Sequence, residues 1–212
     1  MDQPAPISRW CRSAAFFSSH LYPRISATEF KAYFAIASMG GFIAGVLGAF
    51  HDLWTYSIGP EYFTKVKFNS FWFANFGLGN RPFAATVGFL AAGCVGFFVA
   101  WFLARRFWRT QSPSNGSREI AIGFVFVFLC VIVAESLGYA YGIWRGPDAD
   151  YAGWFWAIEK YHVKDVWSFV RVAYIHNSAY LGVGIGLTGA LFMIRPTPAT
   201  LTPSQLRAME AK

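Results

Sequence analysis

The sequence predicts an all-α, polytopic membrane protein in which four transmembrane helices form a bundle. The first observation behind this prediction is composition: of 212 residues, 55% are hydrophobic and 20% are aromatic, while only 14% are charged, against about 25% in ordinary soluble domains. The second is the length of the apolar runs, because a hydrocarbon core ~30 Å thick requires roughly 20 apolar residues in a helix. The third is that these runs lack the charged face that a soluble amphipathic helix carries.

Four apolar runs reach or approach the length of a membrane span. We predict transmembrane helices at 32–50, 83–103, 120–143 and 172–194. Each must be helical because lipid offers the backbone no hydrogen-bond partners. They make up one transmembrane domain, 29–194, between an amino-terminal arm, 1–28, and a tail, 195–212. The arm is polar and basic, unlike a cleaved signal peptide, so the first helix is expected to remain in the mature protein.

Basic residues gather in three segments, which predicts the orientation of the helices. These segments are the arm, the connection between the second and third helices, and the tail; their basic residues include Arg9, Arg12, Arg24, Lys31, Arg105, Arg106, Arg109, Arg118, Arg195 and Arg207. Because Lys and Arg favour the cytoplasmic side, we expect both termini in the cytoplasm and the connections 51–82 and 144–171 outside. The net charge of +7 is explained by these flanks and their attraction to anionic lipid. The expected partner is therefore the lipid bilayer and not nucleic acid.

Local signals justify the helices in order. Ser26 followed by Glu29 is a start signal for the first helix. Gly41 and Gly45 then lie four residues apart, and the second and fourth helices repeat small residues at this spacing, which lets helices approach closely in a membrane. The two outer connections are rich in aromatic residues, and this composition favours loops that lie at the membrane interface.

Polar residues interrupt the apolar runs at three places, and their depth brings them together. His51 and Asp52 lie at the outer end of the first run, and Glu135 lies in the outer third of the third run. His176 lies about 7 Å in from the outer end of the fourth, at 1.5 Å per residue. Ionisable groups at membrane depth are costly and commonly functional. We therefore expect one polar site near the outer face.

The residue types in this layer indicate a metal site. The outer connections contain none of the three cysteines, so neither a disulfide framework nor a pair of thiolate ligands is expected. Imidazole and carboxylate ligands suit a divalent metal such as iron, zinc or manganese. We predict His51, Glu135 and His176 as the metal ligands. Asp52 and Glu61 are predicted as catalytic proton carriers, and either could instead be a further ligand or a hydrogen-bonding neighbour of the ligands.

Further residues are predicted to support the ligands by hydrogen bonding; they are Asn177, Tyr139, Tyr180 and Thr55. Three of them lie four residues beyond a predicted ligand and share its helix face, provided in one case that the first helix continues past residue 50. Glu159 and His162 show the Glu-x-x-His spacing of di-iron bundles. This spacing has no second copy in the chain, which makes the pair the weaker candidate for a metal site.

Two other functions would use the same residues. His51 and His176 could be the axial ligands of a haem b in an electron-transfer subunit. Three arginines would then lie near the propionates: Arg81, Arg145 and Arg171. The carboxylates at the same depth favour a hard cation over a haem. Alternatively, the polar cluster could fix helix register in a non-catalytic structural or transport subunit of a larger membrane complex, or in a homo-oligomer.

Two sequence blocks resemble a family of small bacterial integral membrane proteins. Residues 51–68 have the pattern HDxxTYxxxPEYFTKxKF, and residues 176–182 have the pattern HNxxYLG. The resemblance implies a four-helix membrane fold in which these two blocks work together. It assigns no reaction.

Together these observations predict a bacterial inner-membrane protein with a metal site near its outer face, roofed by the two aromatic connections. As an enzyme it would be a metal-dependent oxidoreductase or hydrolase acting on a lipid-soluble or periplasmic substrate. The ligand types do not decide between these reactions, nor do they decide whether the protein is an enzyme.

Overall fold

The computed structural model describes residues 25–108 and 113–194, without the side chains of 113–115. This part of the chain is all-helical, as predicted, and contains no strand. Its principal helices are α1 (Ala27–Ile58), α2 (Asn80–Phe107), α3 (Pro113–Arg145), α4 (Phe155–Tyr161) and α5 (Val166–Met193). Most of the predicted arm, and the whole predicted tail, lie outside the described residues.

Three of these helices, α1, α2 and α3 from Gly116 onward, are long and apolar enough to cross a membrane. Large apolar side chains on their outer faces are well exposed, for example Phe42 at 64% and Val133 at 59%, as expected of surfaces that face lipid. The predicted fourth span falls within α5, which is 28 residues long but is not among the helices of sufficient hydropathy. Its role as a membrane span stays a prediction.

Helix α1 begins at the predicted start signal and extends past its predicted end. The Ser26 hydroxyl accepts a hydrogen bond from the backbone N–H of Glu29, whose carboxylate accepts one from the backbone N–H of Ser26. This reciprocal arrangement is a capping box. The helix continues to Ile58 instead of ending at residue 50. His51 and Asp52 consequently lie inside a helix, whose geometry fixes their directions.

The long helices pack mainly as two pairs, α1 with α2 and α3 with α5. Small residues lie in both seams, as their spacing predicted. A Cβ atom added to Gly48 of α1 would lie 2.3 Å from Ala92 Cβ and 2.5 Å from the carbonyl oxygen of Gly88. One added to Gly182 of α5 would lie 2.8 Å from the carbonyl oxygen of Cys130. The backbones therefore approach too closely for a larger residue at these positions.

Residues 60–70 form a nearly continuous helical segment after α1, called here the connecting helix. It contains a π-helical turn, Phe63–Lys67, a feature that is frequent at functional sites. Phe63 and Phe68 are buried in an apolar cluster with residues of α2 and α5. The more exposed interfacial rings follow it, beginning with Trp72 at 74% exposure. The first part of this connection is thus buried in the interior, and the part that follows it in the chain is exposed.

The second outer connection, which contains α4, packs a small core of its own. Tyr151, Ala157 and Val163 are buried together with Phe169 of α5. Trp156, by contrast, is 63% exposed, as suits an aromatic ring at a membrane interface. The connection is therefore a folded cap beside the outer end of α5.

Candidate metal centre

One buried polar layer lies towards the carboxyl ends of α1 and α3 and the amino-terminal part of α5. It consists of His51 and Asp52 from α1, Glu135 from α3, His176 from α5 and Lys67 from the connecting helix. Asp52 is 2% exposed, His176 is 4% exposed and Lys67 is 8% exposed. The common depth predicted for the polar residues of three helices is confirmed by their contacts.

Asp52 is the centre of this cluster. Its Oδ1 atom lies 3.2 Å from His51 Nδ1 and 3.8 Å from His176 Nε2. Its Oδ2 atom accepts a hydrogen bond of 3.2 Å from Lys67 Nζ. The two imidazole rings are nearly perpendicular, and their centroids are 5.0 Å apart. One carboxylate oxygen therefore faces two imidazoles, while the other is held by an ammonium group.

The second nitrogen of each imidazole has a polar neighbour of its own. His51 Nε2 lies 3.1 Å from Glu135 Oε2, and His176 Nδ1 lies 3.5 Å from Lys67 Nζ. The contact between His51 and Glu135 does not have the geometry of a hydrogen bond. Among the described residues, Nε2 of both histidines is buried without a hydrogen-bond partner. Burying a polar atom in this way is costly, so Nε2 of His176 is suited to binding a ligand, whereas Nε2 of His51 faces the Glu135 carboxylate.

Two aromatic rings of the connecting helix pack against the imidazole of His176. The ring of Tyr62 stacks on the imidazole with centroids 5.1 Å apart, and Phe63 approaches it edge-on at 5.9 Å. Burial raises the pKa of the Tyr62 hydroxyl above its usual range. Burial also lowers the pKa of the Lys67 ammonium, a shift that the Asp52 carboxylate opposes. The rings of Tyr62 and Phe63 therefore cover one side of the His176 imidazole.

The arrangement fits a metal ion with three protein ligands. One ligand atom from each of His51, Asp52 and His176 lies within 4.8 Å of the other two. In a tetrahedral site with the ion ~2.1 Å from each ligand, the ligand atoms are about 3.4 Å apart. A shortening of the longest separation by up to about 1.4 Å would therefore bring the three atoms to bonding distance. Two imidazoles and one carboxylate form a donor set for iron(II), zinc or manganese.

The two carboxylates of the cluster face different parts of it. Glu135, predicted as a ligand, faces the nitrogen of His51 that points away from Asp52. This is the position of the carboxylate in a carboxylate–histidine–metal arrangement, where it orients the imidazole. Asp52, predicted as a proton carrier, lies between both imidazoles, where a ligand is needed. The depth of a residue along its helix does not distinguish these two positions.

Other predicted ionisable residues lie outside the cluster. The Glu61 carboxylate accepts hydrogen bonds of 2.8 Å from the backbone N–H groups of Lys164 and Asp165. Glu61 therefore anchors the connecting helix to the segment before α5, and it is not placed to carry protons for the cluster. The physical reason is the Gly-Pro pair after α1, which starts a new helix in a new direction. Glu159 and His162 are exposed in and after α4.

The predicted supporting residues have different surroundings. Tyr180 lines the cavity beside the cluster. Thr55 donates its hydroxyl hydrogen to a backbone carbonyl one turn earlier in α1, and the ring of Tyr139 packs against Trp54 at 5.5 Å. Asn177 is exposed. Of these four residues, Tyr180 alone is among the residues that line the cavity.

The same geometry disfavours a haem. Asp52 Oδ1 lies between His51 and His176, whose ring centroids are only 5.0 Å apart. Axial ligands must stand on opposite faces of a flat macrocycle, and the carboxylate occupies that space. Arg171, expected near a propionate, stacks its guanidinium group on Trp167.

Lys67 is the member of the cluster that sequence reasoning missed. It was placed with the aromatic residues of the outer interface, where lysine stems are comfortable. The overlooked signal is its position four residues after Phe63, which puts both residues on one face of a helix. Lys67 also belongs to the first of the two sequence blocks.

A cavity of about 380 Å³ lies beneath the cluster, between the two helix pairs. The polar residues of the cluster line one end, and the remaining walls are mostly apolar side chains of the long helices. Its volume is within the range of small-molecule sites, roughly 300–1,000 Å³.

The fold and the site define a helical protein of the membrane-spanning type with a buried His/Asp/His cluster that could hold a metal ion. Comparisons of the chain with protein-family models, with curated proteins and with solved structures find no match. The function is therefore argued from the geometry of the cluster and the cavity.

Proposed function

We propose that the protein binds one divalent transition metal ion through His51, Asp52 and His176 within a membrane. Iron, zinc and manganese are the candidate metals. The proposal is carried by the meeting of two largely buried imidazoles with one carboxylate oxygen, brought together by α1 and α5. A site with three protein ligands keeps a coordination position open for substrate or water, as catalytic sites do. We infer a metal-dependent oxidoreductase or hydrolase.

The neighbours of the ligands have separate roles in this proposal. Glu135 faces Nε2 of His51 and keeps that ring in position, as carboxylates that contact metal-bound histidines do. Lys67 holds Oδ2 of Asp52, so that Oδ1 alone faces the imidazoles. When bound, the metal would supply Lewis acidity, which polarises a substrate oxygen.

Titration with cobalt(II) tests the proposal. Metal-free protein in detergent is titrated with Co²⁺, and its visible absorption reports the ligand number and the ligand types. We expect saturation at a stoichiometric amount of cobalt and loss of the bands in His176→Ala. Asn177→Ala, at the exposed next residue of α5, is the matched control and should bind cobalt as the parent does. Absence of saturable binding in the parent would overturn the proposal.

The membrane setting is part of the proposal. We place the protein in a bacterial inner membrane with α5 as a fourth span and both termini in the cytoplasm. The positions of the basic segments support this orientation, and so does the meeting of the two sequence blocks at one site. Asn75 lies in the exposed part of the first outer connection. In intact cells Asn75→Cys should react with an impermeant maleimide. Labelling of this cysteine only after the cells are lysed would contradict the orientation.

One observation favours a second, non-catalytic candidate. The buried ion pair between Lys67 and Asp52 joins the connecting helix to α1, and buried polar contacts can fix the register of packed elements. In a structural or transport subunit, or in a homo-oligomer, the cluster would do this without a metal. The cobalt titration separates the two candidates, because a purely structural cluster gives no saturable absorption bands.

A further inference from the structure

We propose that the cavity beneath the metal centre binds a single-chain lipid with a carboxylate head group, which is the chemical class of a long-chain fatty acid. This inference rests on the proposed metal function and names the class of molecule that the site receives. Its basis is the shape, polarity, charge and access of the cavity.

The cavity is elongated along the helices. Its lining runs from Ala44 to Trp54 on α1, from Gly88 to Val99 on α2 and from Phe124 to Glu135 on α3. At a rise of 1.5 Å per residue these stretches are roughly 15–17 Å long. A cavity of this length with a volume of about 380 Å³ is narrow, which suits one extended acyl chain better than a compact molecule.

The two ends of the cavity differ in polarity. The outer end carries the polar cluster, whereas Val99 and Val127 at the inner end belong to the apolar core of the helix bundle. An amphiphile would therefore place its head group at the cluster and its tail towards Val127. Burial of the tail away from water stabilises the complex with each added methylene group. The polar groups then determine which head group is accepted.

The charges of the cluster select the head group. A divalent ion would balance the two carboxylates, Asp52 and Glu135, and the ammonium group of Lys67 would remain in excess. Lys67 lines the cavity, so this positive charge is available to a ligand there. An oxyanion is therefore preferred over a neutral head group.

The cavity is accessible from the side. Leu47 of α1 and Ile132 of α3 line it and are nevertheless 39% and 40% exposed. The cavity thus reaches the surface between α1 and α3. In a membrane this surface faces acyl chains, so a lipid could enter sideways without crossing water.

Photo-crosslinking tests the inference with a defined probe. A palmitate analogue with a diazirine near its methyl end is added to metal-loaded protein in phosphatidylcholine nanodiscs. We expect saturable cross-linking that maps to α3 around Val127. Unlabelled palmitate should compete at least roughly tenfold better than hexadecanol, which has the same tail without the charge and whose deficit would correspond to about 1.4 kcal/mol.

A pair of variants on α2 provides the control. Ala91 lines the cavity, and Ala91→Phe should lower the cross-linking roughly tenfold or more. Cys94 is exposed and does not line it, so Cys94→Phe adds similar bulk elsewhere and should have no effect. Ala179→Phe fills the cavity from α5 as a second variant. Far-UV circular dichroism of each variant reports whether its helical fold is retained, and metal content is measured separately.

Each outcome decides between the alternatives. Equal cross-linking in Ala91→Phe and Cys94→Phe would overturn the inference, and so would equal competition by palmitate and hexadecanol. Stoichiometric metal without saturable cross-linking would overturn the lipid site and leave the proposed metal function standing. Cross-linking that responds to the variants in a protein that binds no metal would support the lipid site and overturn the metal function.

Discussion

Replacement of Lys67 by methionine should destabilise the protein through the charge that it leaves on Asp52. Lys67 Nζ lies 3.2 Å from Asp52 Oδ2, and the two residues are 8% and 2% exposed. At this separation and an effective dielectric constant of about 20, their attraction is ~5 kcal/mol. Removing one partner of a buried ion pair commonly costs about 3–5 kcal/mol. We expect the unfolding free energy of the metal-free Lys67→Met protein to fall by that amount.

Equilibrium unfolding in mixed micelles, followed by tryptophan fluorescence, measures this change. Lys65→Met is the matched control, because Lys65 lies two residues away in the same helix and forms no ion pair among the described residues; its effect should stay within about 0.5 kcal/mol. Adding Asp52→Asn to Lys67→Met removes the isolated charge and should restore part of the stability. A double variant no more stable than Lys67→Met alone would refute the reasoning.

Three further outcomes are expected. Gly48→Ala should lower the unfolding free energy by about 1–3 kcal/mol, because the added Cβ has no room against α2, whereas Gly184→Ala meets nothing within 4 Å and should be neutral in the same unfolding assay. Glu61→Ala should lower the unfolding free energy by about 1 kcal/mol, because two backbone hydrogen bonds are lost, and should keep its full metal content. Loss of metal would show that Glu61 contributes to the metal site. Glu135→Gln should weaken metal binding about 10–100-fold in calorimetry, while the exposed-site variant Glu159→Gln should bind as the parent does.

The architecture was predictable from the sequence because membrane spans depend on local properties. Run length and hydropathy placed three helices that the structure supports as spans, and Ser26 with Glu29 marked the start of α1. The depth of His51, Glu135 and His176 followed from counting residues along helices. Depth is the position of a residue along the helix axis, so it can be counted from the ends of the helix.

The organisation of the site was not predictable, because it depends on side-chain direction and on tertiary contacts. Whether α1 ended at residue 50 or continued decided the directions of His51 and Asp52, and an apolar run does not reveal a polar continuation of a helix. The connecting helix folds back over the cluster through its contacts with α2 and α5. The spacing of Lys67 from Phe63 places both on one helix face, but no local pattern states that this face turns inward while Glu61 turns outward.

The predicted span in α5 is not among the three apolar spans, for a physical reason. This helix carries Arg171, His176 and Asn177 in its outer half, and polar residues lower its hydropathy whether or not it lies in a membrane. A helix that contributes a buried ligand to a polar site necessarily gives a weaker membrane signal than helices that only face lipid and each other.

The metal content of the protein as purified from its membrane, without added metal, tests the central claim most directly. Elemental analysis is performed on the parent, His51→Ala and His176→Ala, with Asn177→Ala as the control. The account predicts stoichiometric iron, zinc or manganese in the parent and the control, and almost none in either histidine variant. A parent without metal, or histidine variants that retain as much metal as the parent, would contradict it.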